Sequence, residues 1–278
     1  MDGTVITSNI KKNFMIGLLV TVVLLLSMGF IYYQDRTAIP ERSNVLKPSD
    51  KARLTTISRD NFSAFVSVVG EIELNVMDFT EPMPLDPPPE GWWHRKFLTR
   101  APMDMSFESI DGVHALRLAT DNSASMLIRF VEVNLERYPL LAWRWLIEDP
   151  IETDKDELTR AGDDHPARLF ISFRNAANER RAMEIIWGNK LRAGDYKYIG
   201  GFPHYVANGG NDNVGEWHDE EVNLLEIYRE IWPEDDGTPR ITEIGLFCDS
   251  DETNDDSVAW FSYVHLMQQF DLPEPLIN

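Results

Sequence analysis

The sequence predicts a mainly β protein. It reads as an antiparallel β-sandwich with one packed amphipathic helix, preceded by an N-terminal transmembrane helix. Three observations lead there. Runs of roughly 5–10 residues, rich in β-branched and aromatic side chains, recur along the chain, most of them bounded by Gly, Pro, Asp or Asn. One stretch, "EEVNLLEIYREIWP", changes to helical spacing. An uncharged run of 20 residues stands near the N-terminus.

That run, "FMIGLLVTVVLLLSMGFIYY", covers Phe14 to Tyr33. At about 1.5 Å per residue it is long enough for the ~30 Å hydrocarbon core of a bilayer. Tyr32 and Tyr33 end it, where aromatic rings favour the interface. A cleaved signal peptide is the competing reading. Its apolar region is about 7–15 residues followed by a small-x-small site, and "IYYQDR" follows here instead. Lys11 and Lys12 place the short N-terminus in the cytoplasm. The organisation expected is a cytoplasmic segment 1–13, an anchor 14–33, a stalk 34–60, a β-sandwich domain 61–272 and a tail 273–278. The domain is then expected outside an inner (cytoplasmic) membrane, in the periplasm or its equivalent, with the lipid bilayer as one partner.

The strands are expected in order. "NFSAFVSVVGEIELNVMDF" holds the first extended pieces, and "TEPMPLDPPPEGWW", with five prolines, is a loop. "HALRLAT" alternates. "SASMLIRFVEVNL" is longer, with Arg129 and Glu132 at exposed positions. "LLAWRWLIE" sets Trp143 and Trp145 on one face and Arg144 on the other. "ARLFISFR", "AMEIIWGN", "ITEIGLFCDS" and "VAWFSYVHL" complete the set. The helix would present Val222, Leu225, Tyr228 and Trp232, and Pro233 would end it.

Charge removes one class of function. The net charge is −20; residues 1–36 carry +1, so the remainder carries −21. Such a surface repels nucleic acid, which is excluded as a partner. The single cysteine, Cys248, permits no disulfide within the chain and reads as an inert core thiol.

No nucleotide-binding glycine fingerprint, Walker loop, "HExxH" or "GxSxG" occurs. Two acidic constellations remain. In "CDSDETNDD", Asp249, Asp251, Thr253 and Asp255 alternate like the start of an EF-hand loop. Asn254 replaces the turn glycine and Trp260 the twelfth-position Glu, so it is not an EF-hand. Asp249 and Asp251 remain candidate metal ligands, with calcium as the candidate cofactor, beside the plainer reading of a capped turn. In "AGDDHPARLFISF", Asp163 and Asp164 stand together and need a cationic partner, which Arg168 could supply. Both clusters fall at strand ends, and their meeting would make a cation site or a sugar-hydroxyl site. Among the eight tryptophans, Trp92 and Trp187 are candidate ligand platforms, with Asn189 beside the second.

The ordered set "GWWHRKF", "ALRLATDNSAS", "YPLLAWRW", "GDDHPARLFISF", "IIWGN" and "GLFCDSDETNDDSVAWFSYV" resembles the bacterial domain-of-unknown-function family 3047. The resemblance spans about Gly91 to Leu266. It implies a layout similar to galactose-binding-like jelly rolls, which mostly bind carbohydrate, often with a structural calcium. Many of those carry an Asp near the middle of the last strand; here Ser262 and Tyr263 stand there. The expected function is therefore non-catalytic binding of a glycan or envelope component. The alternatives are a polysaccharide hydrolase using paired carboxylates, or an accessory subunit docked on a membrane protein partner.

Overall fold

A computed structural model describes residues 45–47, 53–56, 66–69 and 72–269. The expected cytoplasmic segment and anchor lie outside the described residues. Among the described residues, no helix is long and apolar enough to cross a membrane.

Period-two alternation builds two sheets whose apolar faces meet. The larger runs in the order β11 (Tyr196–Ile199), β12 (Phe202–Gly209), β10 (Arg180–Gly188), β9 (Arg168–Arg174), β14 (Arg240–Phe247), β7 (Ser125–Asn134) and β4 (Trp92–Lys96). The smaller runs β13 (His218–Asn223), β8 (Leu140–Asp149), β15 (Asp256–Met267), β6 (Val113–Asp121) and β5 (Asp104–Ile110). β3 (Glu73–Asp78) pairs with the C-terminal half of β15. β1 (Arg53–Thr56) and β2 (Val66–Val69) pair with each other.

Two expectations need correction. The sandwich is not wholly antiparallel, because β10 and β12 run parallel. The chain leaves β10, forms β11 at the outer edge, and turns back through Gly200 and Gly201, both at positive φ. That two-residue turn is the kind glycine permits in a hairpin. It lays β12 into the gap beside β10, in the same direction. The helix is also shorter than its spacing suggests. α1 (Leu224–Ile231) begins at Asn223, whose side chain accepts from the Glu226 N–H. Glu220, Glu221 and Val222 belong to β13, in register with Trp143, Ala142 and Leu141. An open sheet edge beside β8 offers these residues ladder hydrogen bonds, and that overrides helical spacing. Leu224, Ile227 and Tyr228 form the buried helix face.

Within the expected stalk, Leu46 bridges to Val131 on β7 and packs on the core. The core lies between the sheets. Trp143 and Trp145 meet edge-on at 5.3 Å, and Trp145 meets Trp187 at 5.7 Å. Cys248 is fully buried there, and burial pushes its thiol pKa up, so it is inert.

Candidate functional site

The outer face of the larger sheet carries the polar half of the alternation. On β9, Leu169, Ile171 and Phe173 are fully buried in the core, so Arg168 and Phe170 project the other way. Register then makes a row. Glu184 stands opposite Phe170 on one side and His204 on the other, and Phe247 stands opposite Arg168. A cavity of about 750 Å³ opens over this row. Its aromatic lining is Phe97, Phe170, Tyr198, Phe202 and Phe247. Phe170 and Phe202 stack at 6.5 Å, nearly parallel at 7°.

Arg168 holds the charged part together. It is buried, with Nη1 at 2.7 Å from Glu184 Oε2 and Nε at 2.8 Å from Asp249 Oδ1. Its Nη2 also donates to the Asp163 carbonyl. Burial opposes the charge on Arg168, but the Asp249, Glu184 and Asp163 carboxylates outweigh it and raise its pKa. Burial likewise opposes charge on Glu184; Arg168 and the His204 hydrogen bond win, and hold Glu184 at about 2. His204 Nε2 lies 3.4 Å from that carboxylate.

Beneath this, Lys197 donates to Asp163 Oδ1 at 2.7 Å and to the Glu157 carbonyl at 3.1 Å. It also reaches His165 Nε2 at 2.7 Å, while His165 Nδ1 stands 3.0 Å from the Trp187 carbonyl. A carbonyl only accepts and an ammonium only donates, so His165 is neutral with its hydrogen on Nδ1. Its pKa is accordingly held well below the usual value, by burial first and by Arg168 and Lys197 next. The Glu157 carboxylate accepts from the backbone N–H groups of Asn189, Lys190 and Leu191, which fixes the loop after β10.

The two acidic constellations meet. One carboxylate oxygen from each of Asp164, Asp249, Asp251 and Glu252 lies within 4.8 Å of all the others. The loop after β14 makes this possible: Asn254 takes a left-handed φ of 57°, and Thr253 turns to donate its hydroxyl to Asp164 Oδ2 at 2.6 Å. Arg100 pairs with Asp251 and stands 3.8 Å from Glu252. Burial pushes Asp249 well above the usual carboxylate range; Arg168 opposes this, and Asp164 and Glu184 add to it. Burial, then Asp164 and Asp251, push Glu252 up to about 8.

Asp163, Arg168, Asp249 and Asp251 all line the cavity, and Asp164 supports it from the acidic cluster. The tryptophans do not contribute. Trp187 is 1% exposed in the core, because its position on β10 alternates with Glu184 onto the inner face, so no ligand can reach it. Trp92 packs on the core at 6.2 Å from Phe79, under Arg129, and is not part of the cavity wall. Asn189 is likewise outside the wall; its side-chain amide donates to the Asp164 carbonyl at 2.7 Å and so has a positioning role. Sequence reasoning missed Glu184, Glu252, His204, Lys197 and the phenylalanines. Glu184 carried a usable signal: it is a lone charge inside the apolar run "AMEIIWGN".

The fold and its site thus define a β-sandwich with a charge-paired, aromatic-lined cavity on one outer sheet face. The chain belongs to the DUF3047 family, described as a protein of unknown function, whose model matches residues 90–265. No curated protein matches the sequence. Solved structures with similar coordinates include the family 30 carbohydrate-binding module of a cellulosomal cellulase of Clostridium thermocellum. It has a TM-score of 0.41 and 9% identity, over 72% of this chain and 99% of that one. The xyloglucanase domain of NopAA from Sinorhizobium fredii has a TM-score of 0.37 and 9% identity, over 65% and 94%. Tailspike protein 4 of bacteriophage CBA120 has a TM-score of 0.34 and 8% identity, over 69% and 21%.

Proposed function

We propose that the protein is a membrane-anchored, extracytoplasmic module that binds a glycan or another cell-envelope component without catalysis. The observation that carries this is the make-up of the cavity. Tyr198 is 55% exposed and Leu158 56% exposed, and both stand at its wall, where they offer apolar faces to a ligand. Below them lie the stacked Phe170 and Phe202 and a set of charges held in fixed positions. A sugar ring offers a C–H face to an aromatic side chain and hydroxyls to fixed charged groups. Sites of this kind pair apolar lining with a few placed polar groups. The anchor rests on the uncharged run Phe14–Tyr33 and on Lys11 and Lys12.

Paired charges also favour binding over hydrolysis. A glycosidase needs one carboxyl that can donate a proton. Glu184, at about 2, cannot do so near neutral pH. One observation favours the hydrolase reading: Glu252, pushed up to about 8, lines the cavity and carries a proton to give. The test is a glycan array with full-length protein in detergent, followed by calorimetry and chromatography on each binder. Retention of an unchanged glycan is the expected result. Release of shortened products, lost in Glu252→Gln, would establish the hydrolase instead.

A further inference from the structure

We propose that Asp164, Asp249, Asp251 and Glu252 form a binding site for one calcium ion at the wall of the cavity. The cluster alone would not carry this. The second observation is Asp164 itself: it is fully buried, and its Oδ1 accepts no hydrogen bond, although Thr253 satisfies Oδ2. A buried carboxylate oxygen without a partner is costly, so a cation or a proton completes it. Ser250 Oγ, in the same loop, is also buried and without a partner.

Charge and distance select the ion. Four carboxylates face two guanidiniums, Arg100 and Arg168, and Arg168 is shared with Glu184. With all four ionised, as ligands to a cation must be, at least two negative charges are left over, which a divalent cation balances. All the donors are oxygens, which suits a hard ion and not zinc or copper. Calcium binds oxygens at about 2.3–2.6 Å, so two ligands on opposite sides stand about 4.6–5.2 Å apart. The oxygens here all lie within 4.8 Å of one another, close enough for one such ion to touch them together. Magnesium demands near-ideal octahedral geometry and keeps several waters, so a cluster of protein carboxylates suits it less well. Asp249, Asp251 and Glu252 also line the cavity, so the ion has an access route and is open to a bound hydroxyl or carboxylate.

The test uses the full-length chain in detergent, stripped with chelator, with CaCl₂ or MgCl₂ titrated in calorimetry and thermal melts. About one calcium per chain is expected, with a rise in melting temperature that magnesium does not reproduce. Asp164→Asn and Glu252→Gln should each weaken calcium binding at least tenfold; Glu252, being partly exposed, serves if the buried Asp164 variant fails to fold. Asp86→Asn, in a separate ion pair with Lys96, should bind as the parent does. No heat and no melting shift at millimolar calcium would overturn the site, and a protonated Glu252 carboxyl seen in the infrared would then show that a proton completes the cluster. Binding unchanged in both cluster variants would overturn it equally. No glycan enters this experiment, so its failure leaves the glycan reading standing.

Discussion

The larger sheet presents two faces made by the same strands. On the inner face Leu169, Ile171, Phe173, Met183, Ile185 and Trp187 are buried against the other sheet. On the outer face their neighbours Arg168, Phe170 and Glu184 are buried too, or nearly so, around a cavity. Yet the two faces are held by different physics. The inner face gains about 25 cal/mol for each Å² of apolar surface removed from water, and the gain has no direction. The outer face holds charges that cost free energy to bury and are tolerable only while each has its partner. Loss on the inner face should therefore be graded by volume. Loss on the outer face should follow how many partners a residue leaves behind.

Arg168→Met is the sharpest way to break this comparison. It removes one cation from three carboxylates, and should cost about 3–5 kcal/mol in urea unfolding. A second change, Glu184→Leu, should recover only part of that, because Asp249 still lacks its partner. Full recovery in the double variant would reduce the network to one pair. Next door on the inner face, Ile171→Val should cost only about 0.5–1.5 kcal/mol and leave ligand binding unchanged.

Acid should separate the faces by pH. His94 stands opposite the core residue Leu127, with Nε2 2.9 Å from Ser125 Oγ and Nδ1 buried without a partner. Burial, then Lys96, lowers its pKa to about 4. As pH falls, the unfolded chain takes up the proton first, at about 6.5. The stability contributed by neutral His94 is therefore present above about 6.5 and lost between 6.5 and about 4. Neutral His165 adds to the same limb. Glu184 follows lower down: its folded pKa lies below the unfolded one, so its contribution is lost as pH falls from about 4.5 to about 2. Glu252 and Asp249, raised in the fold, gain stability as pH falls over part of the same range, so the comparison is made between variants. The difference in denaturant midpoint between parent and His94→Gln should change between pH 6.5 and about 4 and be constant above; a difference independent of pH would remove His94 from this account.

The inner face was legible because its signal is local. Alternation set Trp143 and Trp145 on one face with Arg144 opposite, and runs of β-branched and aromatic residues marked every long strand from Val113 onward except β12. The short β11 and β13 were missed for another reason. Their residues are strands because β12 and β8 lie beside them, and a neighbour in space leaves no period in the sequence. The site has the same difficulty. Asp164 and Asp249 were recognisable as acids at strand ends, but their contact depends on the register of β9 with β14. Glu184 reaches His204 only through the parallel β10–β12 pair, which the sequence reading did not contain. Trp187 misled because tryptophan is equally at home in a core and at a ligand, and which of the two applied depended on its parity relative to Glu184.

Tyr198 gives the smallest effect on the fold and the most direct reading of the outer face. It lies on the short edge strand β11, more than half exposed, beside the Gly200–Gly201 turn. Tyr198→Ala leaves no buried partner behind and opens no core cavity, so stability should change by no more than about 0.5 kcal/mol. Its exposed ring is what a sugar face would meet at the wall of the cavity. For a glycan found in the array, binding should therefore weaken about tenfold in Tyr198→Ala, as loss of a stacking face would produce, and be kept in Tyr198→Trp. If Tyr198→Ala binds that glycan as the parent does, the ring is not a platform, and the ligand must be held by the paired charges of the floor. If it binds unchanged but unfolds more easily, the edge strand depends on this side chain, and the division between a face that holds the fold and a face that meets the ligand fails at β11.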